Sequence, residues 1–304
     1  KMINQNMGKI IDEIRQERKL TREDLCEDIM SVRNYQRFVS EEVNVSNDKL
    51  SKLIDRLNLD YFTLREIYTH RSEDKYSKLH NVYYYMQANS DTMAYDLLQK
   101  IDSLQIDSGF MLLFYNYLKL DLERQLGITP LEESIEKLSL LIDYPNVLNF
   151  EVLNFIELNV LAILNRYYTT KEDHTIADFL YRFLIDEELS KKGIMSSFLP
   201  SLYSSAAQSF GTFKEYDVAL EICNKGIKEC MKLQMFNGLY HLFYFKALSH
   251  KQLGQNEEAN ETQRRLISLL FTLDEDDKIR EFLPIFENNF KKEIVIKFDE
   301  REID

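Results

Sequence analysis

Residues 21–40 read TREDLCEDIMSVRNYQRFVS, and this stretch decides how the first part of the chain folds. Thr21 can cap the N-terminus of a helix, with Asp24 three residues later. Leu25 and Ile29 lie one helical turn apart, so both can face one core. Ser31 can then cap a second short helix. The stretch therefore predicts two short helices joined by a turn, which is a helix-turn-helix.

The second of these helices carries side chains that can read DNA. No acidic residue lies between Asp28 and Glu41. In the major groove, Arg suits guanine, and Asn or Gln suits adenine. The alternative is an ordinary solvated helix, since these residue types are common on helical surfaces. The predicted DNA contacts are Thr21, Arg22, Ser31, Arg33, Asn34, Tyr35, Gln36 and Arg37, with Arg33 and Arg37 as the main ones.

Three further amphipathic helices surround this pair. Apolar residues repeat at three- and four-residue intervals over residues 3–18, Ser46 or Asn47 can cap a fourth helix, and Asp60 can begin a fifth. Five short helices within about 70 residues are typical of a small repressor-type DNA-binding domain. The polar segment 69–76, THRSEDKY, interrupts the apolar rhythm. We therefore predict a DNA-binding domain over residues 1–70 and a second domain over residues 71–304.

The composition describes a packed helical protein. Of 304 residues, 44% are hydrophobic, and only 4 are Pro and 8 are Gly, so we expect an all-α fold. The three cysteines have no metal-ligand spacing, and no apolar run approaches the length of a membrane span. We expect a cytoplasmic protein with no cofactor, no metal and no membrane partner.

The net charge of -13 is distributed unevenly. Residues 1–70 contain 12 Lys and Arg against 13 Asp and Glu, whereas the rest of the chain contains 26 against 38. A nearly neutral first domain can bind DNA if its cations face the phosphates. The acidic remainder repels the duplex and restricts docking to one surface. The net charge therefore does not exclude DNA binding.

An internal repeat organises the second domain. Ala207 and Ala219 are twelve residues apart, Ala247 and Ala259 repeat that spacing, and the two pairs are offset by 40. Small residues at such positions let paired helices approach closely, as in tetratricopeptide repeats. Ala162 and Ala177 can begin an earlier and more divergent copy; chance spacing of alanines is the alternative. We predict a TPR-like α-solenoid.

A stack of helix pairs has a concave face that can hold an extended peptide. Asparagine suits such a groove, because its amide can pair with both the N–H and the C=O of a peptide backbone. Each polar residue could instead cap a turn or lie in solvent. The predicted peptide-binding residues are Asn154, Asn159, Tyr203, Ser204, Gln208, Asn237, Tyr240 and Tyr244.

Signals of catalysis are weak. The five histidines show no HxxxH or HExxH spacing, and the sequence contains no Gly-rich phosphate loop and no nucleophile elbow. Acidic pairs such as Glu132 and Glu133 lie at predicted helix starts, where negative charge is favoured by the dipole. We expect that the protein is not an enzyme.

The whole chain resembles the peptide-pheromone receptors of the Rgg, PrgX and PlcR group. DLCEDIMSVRNYQRFVSEE and DKLSKLIDRLNLDYFTL, at residues 24–42 and 48–64, are similar to the head of PrgX-type regulators. YSSAAQSFGTFKEYDVALEICNKGIKEC, at 203–230, is similar to a repeat pair of PlcR-type ones. The resemblance implies a quorum-sensing transcription regulator that forms a homodimer, binds double-stranded operator DNA and is switched by a short signalling peptide.

Two departures from that group affect the site residues. The Glu that usually follows the recognition helix is displaced to Glu41 and Glu42. PlcR-type proteins have an Asn on the helix that here holds Tyr203, whereas this chain has Ser204. Asn159 therefore becomes the stronger candidate for peptide-backbone recognition.

Two other functions fit the same sequence. The chain could be a ligand-independent repressor whose repeats only dimerise, or a TPR adaptor that binds other proteins with a vestigial head. DNA binding would distinguish the adaptor from the two regulators, and peptide binding would distinguish the regulators from each other.

Overall fold

The computed structural model describes residues 7–61, 63–64, 67, 75–88, 90–102, 106, 109–185, 199–236, 238–272, 284–288 and 290. By its internal contacts the chain divides into two compact units, residues 1–129 and 130–304. The described residues are helical or lie in turns, and none is in a strand. The predicted boundary at residue 70 stays a prediction.

Helices of the first unit are α1 (Met7–Glu17), α2 (Arg22–Cys26), α3 (Val32–Val39), α4 (Asn47–Arg56), α5 (Lys75–Gln87), α6 (Asp91–Gln99) and α7 (Gly109–Gln125). Those of the second unit are α8 (Leu131–Leu141), a 3-10 turn (Asn146–Asn149), α9 (Phe155–Thr169), α10 (Thr175–Ile185), α11 (Leu199–Thr212), α12 (Tyr216–Lys232), α13 (Leu239–Gln252) and α14 (Asn256–Thr272).

We call residues 7–67 the head, since their apolar side chains form one core. α1 contributes Ile11, α2 contributes Leu25, and α3 contributes Tyr35 and Phe38, all nearly inaccessible to solvent. The predicted first helix is observed from Met7, and residues 3–6 lie outside the described part. Helical residues between 61 and 67, where described, agree with the predicted fifth helix.

Gly8 sets the distance between α1 and α3. A Cβ atom on Gly8 would lie 2.5 Å from the carbonyl oxygen of Phe38 and 2.9 Å from the Cα of Val39. Backbone atoms cannot yield to such a contact as a flexible side chain can. The two helices therefore pack this closely because residue 8 has no side chain.

The second unit has the contact pattern of a helical-repeat solenoid. From α9 to α14 each helix packs against the next, and α9, α11 and α13 also form a continuous layer. Ala207, Ala219, Ala247 and Ala259 are all buried. The predicted repeat is confirmed, because small residues lie where paired helices meet.

The last described residues close the end of this solenoid. Phe286 and Phe290 are buried in one apolar cluster with Tyr240, Tyr244 and Leu266. The ring centroids of Tyr244 and Phe290 are 6.1 Å apart in an edge-to-face arrangement. The final pair, α13 and α14, is thereby covered.

No helix in the described part of the chain is both long and apolar enough to cross a bilayer.

Candidate functional site

The helix-turn-helix is held by the two predicted caps. Thr21 Oγ accepts a hydrogen bond from the backbone N–H of Asp24 at 3.0 Å, and Ser31 Oγ accepts one from Asn34 at 3.3 Å. The Asp24 carboxylate in turn accepts a hydrogen bond from the backbone N–H of Thr21, which completes a capping box. Between the helices, Asp28 adopts a left-handed φ of 55°, which reverses the chain.

Arg56, on α4, is a structural residue of this motif that sequence reasoning missed. Its guanidinium donates to the carbonyl oxygens of Asp24 at 3.3 Å and Leu25 at 3.5 Å, and also to Glu27. These carbonyls end α2 and have no partner within that helix. Arg56 therefore caps the end of α2 although it lies about 30 positions away in sequence. Local sequence patterns cannot reveal a contact over that separation.

α3 presents a polar surface to solvent. Arg33, Asn34 and Gln36 are exposed, and within the described part of the chain their side chains make no hydrogen bond or ion pair. Arg37 is also exposed, and its Nε lies 3.2 Å from the Glu42 carboxylate. Three of the predicted DNA contacts on α3, Arg33, Asn34 and Gln36, are therefore exposed to solvent on one short helix.

Tyr35 corrects the prediction, because its side chain faces the core rather than DNA. The ring is fully buried, and its hydroxyl donates to Asp12 Oδ1 at 3.1 Å. A helix must bury one face to be held, and on α3 that face is formed by Tyr35 and Phe38. The phenol cannot reach a base in this arrangement.

Asp12 is the centre of a buried polar network in the head. Although it is only 5% exposed, its carboxylate accepts hydrogen bonds from Arg15 Nε at 2.8 Å, Gln16 Nε2 at 2.9 Å and Arg22 Nη2 at 3.3 Å. Burial by itself raises the pKa of this carboxyl, but the bonds from Arg15, Arg22 and Gln16 outweigh it and hold the pKa well below the usual range. Arg22, a predicted DNA contact, is therefore partly engaged inside the head.

On the repeats, Asn154 is a helix cap, and its role in peptide binding stays a prediction. Its Oδ1 accepts hydrogen bonds from the backbone N–H groups of Ile156 at 2.9 Å and Glu157 at 3.0 Å. The Glu157 carboxylate bonds back to the Asn154 N–H at 2.7 Å. This capping box starts α9 and leaves the carbonyl of the amide occupied.

The three residues of α11 that are predicted to bind peptide differ in their exposure to solvent. Tyr203 is fully buried against Gly226, where a Cβ atom would lie 2.7 Å from the ring, and its hydroxyl bonds to the Leu184 carbonyl. Ser204 is 8% exposed and bonds back to Ser201 O at 3.0 Å. Tyr203 is a correction, since close packing against Gly226 of α12 encloses its ring, whereas peptide contact by Ser204 stays a prediction. Gln208, by contrast, is exposed.

On α13, Tyr240 and Tyr244 are each only 8% exposed, within the cluster that contains Phe286. Burial raises the pKa of the Tyr244 hydroxyl. Phe286 and Phe290 belong to the same apolar cluster, and the role of the two tyrosines in peptide binding stays a prediction. Asn237 lies outside the described residues.

Asn159 and Gln208 remain as partly open members of the predicted peptide set. Asn159 Nδ2 donates to the Phe155 carbonyl at 2.7 Å, and among the described residues the side-chain carbonyl of Asn159 accepts no hydrogen bond. α9 and α11, which carry the two residues, are in contact. These two predicted residues therefore lie on helices that contact each other.

A buried polar contact between α9 and α11 was not predicted as a site. Asn165 is 1% exposed, and its Nδ2 lies 2.8 Å from Ser209 Oγ and 3.1 Å from Ser205 O. Buried amides need such partners. Asn165 and Ser205 are 40 residues apart in sequence, the same offset as that between the two alanine pairs of the repeat. This offset is a sequence signal that could have identified the contact.

Residues that bind metals are not gathered anywhere in the described part of the chain. No group of three His, Cys, Asp or Glu side chains is placed there to hold an ion. Cys26, Cys223 and Cys230 are separate and buried.

No protein-family model and no curated protein sequence matches the chain. Solved structures do match over nearly its full length. PlcR of Bacillus thuringiensis, in complex with the peptide PapR7 and DNA, has a TM-score of 0.68 at 16% identity, covering 90% of this chain and 98% of PlcR.

Two more solved structures are similar to this chain over nearly its full length. ComR from S. thermophilus, in complex with DNA and its signalling peptide ComS, has a TM-score of 0.62 at 16% identity, covering 93% of this chain and 99% of ComR. The pheromone receptor Rgg2 of Streptococcus dysgalactiae has a TM-score of 0.61 at 16% identity, with coverage of 93% and 99%.

The chain has the fold of PlcR, ComR and Rgg2. The predicted fold class, an N-terminal helix-turn-helix followed by a TPR-like solenoid, is confirmed, and so is the resemblance to this group at the level of fold.

Proposed function

We propose that the protein is a transcription regulator that binds operator DNA as a homodimer and is switched by a short signalling peptide. The observation that carries this proposal is the free surface of α3, where Arg33, Asn34 and Gln36 have no partner in the described residues. Such groups on the second helix of a helix-turn-helix match the requirements of major-groove readout. PlcR and ComR, which share the fold, were each solved with DNA and a peptide.

The peptide site belongs to the layer formed by α9, α11 and α13. Asn159 and Gln208 are its open polar positions, on neighbouring helices. The side-chain carbonyl of Asn159 can accept from a peptide N–H, and the Gln208 amide can both donate and accept. Recognition of a peptide backbone requires only these two capacities, so the pair supports peptide binding as the switch.

A homodimer follows from operator geometry. Two recognition helices must lie about one DNA turn, roughly 34 Å, apart to engage two half-sites. A change of solenoid curvature on peptide binding would alter that spacing and hence the operator affinity. A regulator of this type acts beside the chromosome, so we place the protein in the cytoplasm and assign it no enzymatic activity.

A ligand-independent repressor is the second candidate. Burial of Tyr203, Ser204, Tyr240 and Tyr244 favours it, because these side chains are occupied within the chain. Peptide binding distinguishes the two candidates.

Native mass spectrometry of the protein, alone and with a peptide extract of the host's spent medium, tests the proposal together with a DNA-binding titration against its own upstream sequence. A dimer that binds this DNA and gains one peptide mass per chain supports it. A DNA-binding dimer without added mass supports the ligand-independent repressor. A protein that does not bind the DNA refutes both and favours the adaptor.

A further inference from the structure

A cleft of about 590 Å³ opens on the second unit, apart from the residues assigned to DNA or peptide. We call it the tyrosine cleft; its walls include Tyr144, Tyr167 and Tyr168, and its rim includes Glu132, Glu136 and Lys171. Its volume lies within the range of about 300–1,000 Å³ that is usual for ligand sites. Its composition is both aromatic and charged.

The three tyrosines form a continuous aromatic wall. The rings of Tyr144 and Tyr168 stack with centroids 5.6 Å apart, and Tyr167 meets Tyr168 edge-on at 5.4 Å. Ring faces carry negative electrostatic potential and attract cations. All three side chains are partly exposed, so a ligand can reach them.

Two exposed carboxylates on α8 border this wall. Glu132 and Glu136 lie one helical turn apart, and in the described part of the chain neither makes an ion pair. Their neighbour Glu133 does make one, with Lys137 at 2.6 Å. The unbalanced charges are thus on the side of α8 that faces the tyrosines.

One cation of the chain already occupies part of the cleft. Lys171 Nζ lies 5.3 Å from the centroid of the Tyr167 ring, which is a cation–π distance. Aromatic faces and exposed carboxylates together suit a ligand that is flat, cationic and a hydrogen-bond donor.

We propose that the tyrosine cleft binds an arginine side chain of a partner polypeptide. A guanidinium can lie flat on a tyrosine face while the N–H groups at its edge donate to a carboxylate, whereas an ammonium has no flat face to stack. The cleft is larger than one side chain, so the residues flanking the arginine lie in it as well. This site does not depend on the function proposed above.

The test is a ligand-observed NMR titration of the full-length protein with the peptide acetyl-Gly-Arg-Gly-amide. The matched peptide carries citrulline, which has the same shape but no charge. We expect the arginine peptide to bind about tenfold more tightly, as the sum of the ring contact and the carboxylate pairs. Absence of binding, or equal binding of the two peptides, overturns the proposal.

Three variants locate the site. Glu136→Gln should weaken binding of the arginine peptide about threefold, whereas Glu133→Gln, with the same charge change on the same helix, should leave it unchanged. Lys171→Met should strengthen binding about threefold, because it vacates the Tyr167 face and removes a repelling charge. Equal effects of the two glutamine variants would mean that only overall charge matters, and weaker binding by Lys171→Met would mean that the arginine does not use the Tyr167 face; either result would refute the assignment.

Discussion

The hydroxyl of Tyr35, on α3, donates a hydrogen bond of 3.1 Å to Oδ1 of Asp12, on α1. The same oxygen accepts a bond from Arg15 Nε at 2.8 Å, and the other oxygen accepts one from Gln16. A buried carboxylate is stable only with several donors, and Tyr35 is one of them. The bond therefore anchors the recognition helix to α1 by a directional contact in addition to apolar packing.

Tyr35→Phe removes this bond and keeps the ring. We expect a loss of about 1.5–3 kcal/mol in the stability of the head, as for a hydrogen bond to a charged group. Hydrogen–deuterium exchange of residues 7–17 and 32–39 measures it. The control is Tyr61→Phe, where the side chain is 50% exposed and the exchange should not change. Equal effects of the two variants would mean that the Tyr35 hydroxyl contributes nothing.

Asp12 makes the head sensitive to acid. Its folded pKa lies below the unfolded value of 3.8, so ionised Asp12 stabilises the head fully above about pH 4, and this contribution is lost as the pH falls below that value. Asp12→Asn should cost about 3–5 kcal/mol at pH 7, because Arg15 is left buried without its partner. The cost should be smaller at pH 3. Exchange rates of α1 amides, corrected for their intrinsic pH dependence, measure both; an equal cost at the two pH values contradicts the role assigned to Asp12.

Gly8→Ala should destabilise the head by about 1–3 kcal/mol, because the new methyl group meets the backbone of α3. Gly211→Ala is a matched control. A Cβ there has no atom within 4 Å, and alanine in a helix should stabilise the chain by about 0.5–1 kcal/mol. Thermal unfolding followed by circular dichroism should give shifts of opposite sign. A stabilising shift for Gly8→Ala, like that of the control, would mean that α1 and α3 can separate freely.

Arg33→Ala should weaken binding to the protein's upstream DNA by about 1–3 kcal/mol if the side chain reads a base. If it contacts only phosphate, the salt dependence of binding should become shallower by about one unit, with little change between sequences. Fluorescence anisotropy titrations at two salt concentrations separate these roles. Arg264→Ala, an exposed arginine on α14, is the control for lost charge. If Arg33→Ala binds as the unaltered protein does, α3 is not the DNA-reading surface.

Asn154 and Asn159 should respond differently to replacement by alanine. Asn154→Ala removes a helix cap and should cost about 0.5–2 kcal/mol of stability without changing affinity for the signalling peptide. Asn159→Ala should lower peptide affinity by roughly 1 kcal/mol and barely change stability. Thermal unfolding and calorimetric peptide titration measure the two effects. The opposite pattern would exchange the roles of the two residues.

Local features of the fold could be predicted because they depend on residues a few positions apart. The caps at Thr21 and Ser31 use donors three residues away, and each repeat alanine pair lies within one helical hairpin. The candidate site was only partly predictable for the same reason. The residue type shows that a tyrosine or an asparagine is able to bind a peptide. Whether its side chain is accessible depends on which neighbour packs over it, as Gly226 packs against Tyr203.

By itself the sequence determined the all-helical class, the helix-turn-helix and the repeat of helix pairs, because short-range capping and apolar periodicity specify them. Only the tertiary structure decided that Tyr35 bonds to Asp12, that Arg56 ends α2 and that Phe290 packs edge-on against Tyr244. These contacts join residues more than twenty positions apart. Chain folding brings them together through burial of apolar surface, a force without direction that leaves no local signature in the order of residues.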